Sequence, residues 1–148
     1  MLKKNIIGII VLLSVFILDR ITKEYILNHT FKLYSFWGGI LNIHYVENTG
    51  IAFGMFKGLN NFFIFFNSFL LIFLFYIRRK INFTFGIIAI HMIIGGAIGN
   101  IFDRIKYGFV IDFIDLKYFP AVFNIGDFFI TVGASILFLS SWEEKCQE

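Results

Sequence analysis

Four long apolar segments constrain the fold of this chain more than any other feature of its sequence: residues 5–26, 62–77, 83–102 and 128–142. About 20 helical residues are needed to cross the ~30 Å hydrocarbon core of a bilayer, so the second and fourth segments must include flanking residues. Of the 148 residues, 58% are hydrophobic and only 16% are charged, which is too apolar for a soluble domain of this size. The sequence therefore predicts an all-α membrane protein, a single domain spanning residues 1–148 with four transmembrane helices.

Basic residues indicate which ends of the apolar segments face the cytoplasm. Lys3 and Lys4 precede the first segment, and Arg78–Lys80 separate the second from the third. Because Lys and Arg accumulate in cytoplasmic loops, both termini are predicted to be cytoplasmic. These flanks explain the net charge of +3, so nucleic acid is not expected as a partner. Residues 17–20 carry charge where a secretory signal would have a small-residue cleavage site, so the first helix is expected to remain uncleaved.

The two longer connections, residues 28–61 and 103–127, then face outward. Within the first connection, Leu41–Tyr45 alternates apolar and polar side chains, which predicts a strand with one solvent-exposed face. Turns that contain glycine or asparagine flank this strand. We therefore expect a small extracytoplasmic β-sheet at the membrane surface. Three aromatic side chains are expected at headgroup depth: Tyr34, Phe36 and Trp37.

Two polar pairs lie within or beside apolar segments, where ionisable groups are costly and therefore indicate function. Asp19 lies roughly 20 Å of helix beyond Lys4, in the outer third of the bilayer. Lys23 follows one turn later, so the two side chains can form an ion pair. An anchor at the outer interface is the alternative interpretation. Asn100 and Arg104 are likewise one turn apart on one helix face, and we interpret them as functional.

Two carboxylates stand where the chain re-enters the membrane from outside. Asp112 follows two apolar residues, and Asp127 lies at the predicted start of the fourth helix. Two carboxylates within hydrogen-bonding distance cannot both ionise comfortably, so one of them retains a proton. Such a pair can take a proton from water while giving one to a carbonyl, as peptide hydrolysis requires. The sequence does not say which carboxylate holds the proton.

Other conspicuous residues are assigned structural roles. Gly95 and Gly99 have the spacing that lets a neighbouring helix approach closely. His91 stands alone among apolar residues and is interpreted as a hydrogen-bonded interior histidine. Asp115 is assigned to the surface of the outer loop. Cys146, the only cysteine, is expected to be a free thiol in a polar C-terminal tail, so no internal disulfide can form.

Five short sequence blocks contain most of these polar residues. They are Asp19–Lys23, Asn48–Gly54, Gly99–Arg104, Val110–Phe113 and Phe123–Asp127. In this order, and with four apolar segments around them, they resemble the blocks of bacterial lipoprotein signal peptidase, also called signal peptidase II. The resemblance runs from about Leu18 to Thr131. One departure is Gly126, which stands where the family usually has alanine, and the missing methyl is expected to loosen the helix start slightly.

The resemblance implies an aspartic endopeptidase of the bacterial inner membrane. The family has four helices, cytoplasmic termini, a small sheet cradle, and a loop over an active site near the outer leaflet. By likeness, Asp112 and Asp127 are the catalytic pair. The substrates are prolipoproteins whose cysteine carries diacylglycerol, the cut falls just before that cysteine, and no metal or cofactor is used. The expected partners are therefore these substrates and membrane lipid, and we expect a monomer. The positions matched to supporting roles are Asp19, Lys23, Asn48, Gly50, Asn100, Arg104 and Asn124.

The residues alone leave other functions open. A serine protease would need a Gly-x-Ser-x-Gly elbow and a zinc protease a His-Glu-x-x-His motif, and the sequence contains neither. A metal site built on two carboxylates is conceivable, since hard cations prefer oxygen ligands. Intramembrane Asp, Asn and Arg side chains would also suit a small proton-coupled transporter, although the acids cluster at the outer ends of the helices. A non-catalytic assembly factor is supported only by the glycine-rich third segment.

Overall fold

The computed structural model describes residues 2–29, 32–50 and 60–147. Its four helices each have the length and apolar composition needed to span a bilayer, so the protein is a multi-pass membrane protein. Each helix is longer than the apolar segment predicted for it, because polar residues at the segment ends continue the helix. The helices are α1 (Leu2–Leu27), α2 (Asn60–Arg78), α3 (Thr84–Tyr107) and α4 (Ile125–Gln147).

Helix α3 lies at the centre of the bundle and packs against each of the other three helices. Its buried Ile90 and Ile94 contact apolar side chains from α1, α2 and α4. Close packing depends on glycine, because a side chain at Gly95 would lie only 2.8 Å from the carbonyl oxygen of Leu12 in α1. The small-residue spacing of this helix thus serves the helix contact that the sequence predicts.

Helix α3 continues past its predicted end at Phe102. It stops at Tyr107 because Gly108 adopts a left-handed conformation with φ of 84°, and its N–H donates to the carbonyl oxygen of Arg104 at 3.2 Å. The extension places Asp103 and Arg104 on the helix, so the predicted outward connection from residue 103 begins too early, whereas the predicted position of Arg104 one turn after Asn100 agrees with the structure. The apolar pattern ends before the helix does, because the two charged residues resemble the start of a polar loop.

A three-stranded antiparallel sheet adjoins the helices, with the strands in the order β1 (Tyr34–Phe36), β2 (Leu41–Asn48) and β3 (Val110–Leu116). The sequence predicted β2 but not β3. The first four residues of β3 are all buried, so this strand lacks the alternation that reveals a half-exposed strand. Trp37, in the turn between β1 and β2, is 76% exposed, and its placement at headgroup depth stays a prediction.

The register of β2 against β3 brings two polar side chains together. Val46 pairs with Asp112, and Asn48 pairs with Val110. Paired residues point to the same face of a sheet, as do residues two apart on one strand, so Asn48 and Asp112 are diagonal neighbours. The first outward segment also includes residues 51–59, which lie outside the described ranges. The loop expected over the active site stays a prediction.

Three residues that the sequence assigned structural or surface roles lie in different environments in the structure. His91 is buried, and its Nδ1 lies 2.6 Å from the carbonyl oxygen of Ile87, as expected for an interior histidine. Asp115 lies on β3 rather than in a loop, with a third of its side chain exposed and its carboxylate 4.0 Å from His44. Cys146 lies in the last turn of α4, so the polar C-terminal tail predicted around it is helical.

Candidate active site

The first turn of α4 fixes the carboxylate of Asp127. The Asn124 Oδ1 accepts a hydrogen bond from the N–H of Asp127 at 2.9 Å, and the Asp127 Oδ2 accepts one from the N–H of Asn124 at 3.3 Å. This reciprocal arrangement is a capping box, which satisfies two backbone donors at the helix start. The start of a helix also carries partial positive charge, so it favours a carboxylate at this position.

Asp112 reaches the same asparagine from the sheet. Its side chain is 1% exposed. Its Oδ1 accepts a hydrogen bond from the Nδ2 of Asn124 at 2.6 Å, and its Oδ2 accepts one from the Nδ2 of Asn48 at 2.7 Å. Asn124 therefore contacts Asp112 through its amide nitrogen and Asp127 through its amide oxygen, which places the two acids on either side of one side chain.

Asn100 of α3 connects Asp127 to the buried cation Lys23. The Nδ2 of Asn100 donates to the Asp127 Oδ1 at 2.7 Å, and its Oδ1 accepts from the Lys23 Nζ at 2.8 Å. An ammonium group can only donate hydrogen bonds, so Lys23 determines which end of the amide faces Asp127. The same Oδ1 also accepts a hydrogen bond from the Nδ2 of Asn124 at 3.2 Å.

A cluster of two acids and two bases lies behind Asn100, and we call it the charged quartet: Asp19, Arg20, Lys23 and Asp103. The Lys23 Nζ lies 3.0 Å from Asp19 and 2.8 Å from Asp103, and Arg20 forms ion pairs with the same two acids at 2.9 and 2.7 Å. Both acids and Lys23 are fully buried. Buried charges are tolerated when they are paired, and the four formal charges of the quartet cancel.

Arg104 forms hydrogen bonds with the residues on both sides of segment 51–59. Its Nη2 donates to the carbonyl oxygen of Gly50 at 2.8 Å, and its own carbonyl oxygen accepts a hydrogen bond from the Nδ2 of Asn60 at 3.1 Å. The guanidinium also lies over the ring of Phe63, 4.8 Å from the centroid. The N–H of Gly50 in turn donates to the Asn48 Oδ1 at 3.1 Å, so Arg104 is linked to the asparagine that holds Asp112.

The environment of Asp112 shifts its protonation. Burial raises the pKa of the Asp112 carboxyl to about 7, and the neighbouring Asp127 adds to the increase. The hydrogen bonds from Asn48 and Asn124 act in the opposite direction because they stabilise the ionised form. Asp112 can therefore hold or release a proton near neutral pH, which an ordinary aspartate cannot do.

A cavity of about 780 Å³ opens beside these residues, within the size range of ligand sites. At one end it is lined by Asn48, Asn100, Arg104 and Asp127. The remaining wall is almost entirely apolar and comes largely from α2, α3 and α4. It includes Phe62, Phe66, Leu70, Leu74, Ile93 and Ile130. The arrangement suits a long apolar molecule with one polar group that reaches Asp127.

Comparison with known proteins decides the family. A family model described as signal peptidase (SPase) II matches residues 11–143. The chain belongs to the signal peptidase II family. The lipoprotein signal peptidase of Caldicellulosiruptor bescii is 42% identical to this chain, over 86% of this chain and 85% of its own length. That of Caldanaerobacter subterraneus subsp. tengcongensis is 41% identical, with coverage of 88% and 92%.

Solved structures share the fold of this chain. A bacterial membrane enzyme determined by the in meso method at 2.3 Å resolution has a TM-score of 0.82 and 30% identity. The similarity covers 95% of this chain and 90% of that one. The four-helix fold with a small sheet and the family resemblance seen in the sequence are both confirmed, and the protein is a peptidase.

Every residue that the sequence predicted for the site belongs to one connected network of hydrogen bonds and ion pairs. The network contains Asp19, Lys23, Asn48, Gly50, Asn100, Arg104, Asp112, Asn124 and Asp127. Their roles in catalysis stay predictions. Sequence reasoning missed three members: Arg20, Asp103 and Asn60. A signal for Asp103 existed, because it lies one turn from Asn100 on α3, but the early helix end concealed it.

Proposed function

We propose that this protein is an aspartic endopeptidase that removes signal peptides from prolipoproteins. It cleaves just before a cysteine that carries diacylglycerol. The observation that carries the proposal is the convergence of Asp112 and Asp127 on Asn124, with Asp127 lining an apolar cavity. Two carboxylates held in this way can supply the general acid and the general base that hydrolysis of a peptide bond requires.

In the proposed reaction the two carboxylates share one proton. The ionised member takes a proton from a water molecule whose oxygen attacks the scissile carbonyl carbon, while the protonated member gives its proton to the carbonyl oxygen. In the second step the former acid removes a hydroxyl proton as the carbonyl re-forms, and the C–N bond breaks. The former base protonates the nitrogen as the C–N bond breaks, which restores the pair and leaves a carboxylic acid on the signal peptide, and this acid then ionises by giving its proton to solvent.

The surroundings support distinct roles for the two acids. A pKa of about 7 supports Asp112 as the member that holds the shared proton. Asp127 lines the cavity and sits at the start of α4, where negative charge is favoured, which supports it as the member that activates water. Asn48, Asn100 and Asn124 donate hydrogen bonds to the carboxylate oxygens and so fix their direction.

The apolar wall of the cavity supports a substrate that arrives within the membrane. A signal peptide and the acyl chains of a diacylglyceryl group are both apolar and would leave lipid for this wall without exposure to water. We place the enzyme in the inner membrane as a monomer, with both termini cytoplasmic and the site near the outer leaflet. The basic flanks of α1 and of the connection between α2 and α3 support this orientation.

The pair is tested by neutralising each acid in turn. Asp112→Asn and Asp127→Asn are purified in detergent and incubated with a precursor peptide that carries a diacylglyceryl cysteine. Both variants are expected to fold, and release of the signal peptide should fall by about a thousandfold or more, since each substitution removes an acid or base that the reaction requires. The matched control Asp115→Asn, on the same strand as Asp112, should cleave normally. Normal turnover in either active-site variant would refute the proposal.

Two further measurements separate this proposal from its alternatives. A chelator should leave the activity unchanged, whereas loss of activity and its recovery with a divalent cation would favour a two-carboxylate metal site. Proteoliposomes containing the enzyme should show no proton flux. Flux without release of signal peptide would favour the transporter, and the absence of both would favour an assembly factor.

A further inference from the structure

A second pair of aspartates lies directly behind the proposed catalytic pair. The Asp19 Oδ1 accepts a hydrogen bond from the N–H of Gly126 at 3.0 Å, the residue before Asp127. The Asp103 Oδ2 accepts one from the N–H of Ile111 at 3.2 Å, the residue before Asp112. Each proposed catalytic residue is therefore preceded by a backbone amide that a fully buried carboxylate holds in place.

The two cations of the charged quartet join these two rear aspartates. Lys23 and Arg20 each contact both acids, at distances between 2.7 and 3.0 Å. The result is a continuous chain of polar contacts from the backbone before Asp127 in α4, through α1 and α3, to the backbone before Asp112 in β3. Lys23 also reaches Asp127 by a second route, through the side chain of Asn100.

None of the four quartet residues lines the cavity beside Asp127. Their effect on the reaction must therefore pass through the positions and charges of the proposed catalytic pair rather than through contact with substrate. Gly99 is part of this arrangement, because any side chain there would clash with the Asp19 carboxylate. Gly99 therefore leaves the space that the Asp19 carboxylate occupies between α1 and α3.

We infer that the charged quartet sets the separation and the electrostatic balance of Asp112 and Asp127, and that Arg20 and Asp103 are positioning residues for the hydrolysis. This inference rests on the proposed function. Arg104 of α3 is a further charged group near the pair. Because the quartet is neutral as a whole, removing one of its members adds an unpaired charge close to the pair.

The inference is tested with Asp103→Asn, Arg20→Met and the double variant that carries both substitutions. Each single variant should lower kcat by about 100-fold, the loss expected when a catalytic group moves by about 1 Å, while KM changes little. The double variant restores neutrality, since Asp19 and Lys23 remain paired, and should recover at least about tenfold over Asp103→Asn. Asp115→Asn serves as the matched acidic control and should retain normal kcat.

The pH profile distinguishes positioning from a merely structural role. Asp103→Asn leaves a surplus positive charge, which lowers the pKa of Asp112, so the alkaline limb of kcat should move to lower pH. Arg20→Met leaves a surplus negative charge and should move the limb the other way. Each shift should be about half a pH unit or more, the order expected for one unit charge at an effective dielectric constant of about 20.

Each outcome bears on one of the two proposals. Two results would overturn the positioning role while leaving the catalytic pair intact. One is a normal kcat in both single variants. The other is a reduced kcat with unshifted pH profiles and no recovery in the double variant. Full activity of Asp112→Asn or Asp127→Asn would instead overturn the proposed function. If Asp103→Asn does not fold, Arg20→Met still decides the inference, because the Arg20 side chain is 19% exposed and its loss leaves a smaller defect.

Discussion

Opposing effects of its surroundings leave the pKa of Asp112 near neutral pH. Burial and the neighbouring Asp127 raise the pKa of its carboxyl, whereas the amide donors of Asn48 and Asn124 hold it back, with a result of about 7. A carboxyl in this condition carries a proton in much of the population at neutral pH. The property comes from residues on β2, on β3 and at the start of α4, so no segment of the chain encodes it alone.

The raised pKa of Asp112 predicts how the reaction depends on pH. Cleavage should decline above about pH 7, by roughly tenfold per pH unit, because the proton that Asp112 donates is lost. The free energy of unfolding should also fall as the pH rises toward 7, because the folded state holds this proton more tightly than the unfolded chain does. Initial rates and thermal unfolding from pH 5 to 9 measure both effects. Equal slopes of stability in Asp112→Asn and the unmodified enzyme would contradict the assignment.

Gly126 illustrates how closely the site is packed at the level of one methyl group. A side chain there would lie 3.0 Å from the Asn124 Oδ1 and 3.1 Å from both the Asp19 Oδ1 and the carbonyl oxygen of Gly96. The expected loosening of the helix start stays a prediction. The structure adds that the N–H of Gly126 is held by Asp19, so this glycine lies at a fixed contact between α1, α3 and α4.

At the scale of elements, the same side chain starts α4 and joins this helix to the rest of the site. Asn124 caps the helix and simultaneously donates to Asp112 of β3. A loss of this side chain therefore removes a helix cap and a contact between two elements. Its two functions nevertheless use different atoms of the amide, the oxygen for the cap and the nitrogen for Asp112.

The two functions of Asn124 can be separated by substitution. Asn124→Ala should lower the free energy of unfolding by about 1 kcal/mol through loss of the cap and should also abolish most of the cleavage. Asn124→Ser restores a good capping oxygen but cannot supply the amide nitrogen to Asp112, so it should recover stability without recovering kcat. Thermal unfolding and cleavage assays on both variants measure this. Parallel recovery of both properties would argue that Asn124 acts only as a helix cap.

The sequence predicted those elements whose signal is local. Four apolar segments predicted the helices, and the alternation in Leu41–Tyr45 predicted β2. The strand β3 was missed because its buried residues lack a period of two, and Asp103 was missed because α3 continues beyond its apolar part. The pairing of Asp19 with Lys23 is local and was predicted. The cations that pair with Asp103 come from another helix, and pairing across such distances leaves no local pattern to detect. Motif resemblance supplied Asp112 and Asp127, and only the structure shows them meeting at Asn124.

At the scale of the whole molecule, we propose that the four helices of spanning length in the described residues place the two chain ends on one side of the membrane. In this proposal the sheet and the start of α4 lie on the other side, because β2 and β3 belong to the connections between α1 and α2 and between α3 and α4. The basic flanks support a cytoplasmic position for the chain ends. Cys146, the only cysteine in the sequence, provides a natural probe of this orientation.

The predicted orientation is checked by labelling intact spheroplasts with a membrane-impermeant maleimide. Cys146 should react only after permeabilisation, since it is expected to face the cytoplasm. In the matched variant Cys146→Ser with Lys117→Cys, the new thiol beyond the end of β3 should react without permeabilisation. Labelling of Cys146 in intact spheroplasts would reverse the proposed topology.

The charged quartet has a consequence for how the chain is made. Helix α1 leaves the ribosome before α3 and carries Asp19, Arg20 and Lys23, a surplus of one positive charge. The balancing Asp103 arrives only when α3 has been synthesised. Charges inside the bilayer are costly unless they are paired, so we expect the surplus charge of α1 to be better tolerated once Asp103 has paired with it. Stable insertion of the first span is then expected to depend on translation of the third.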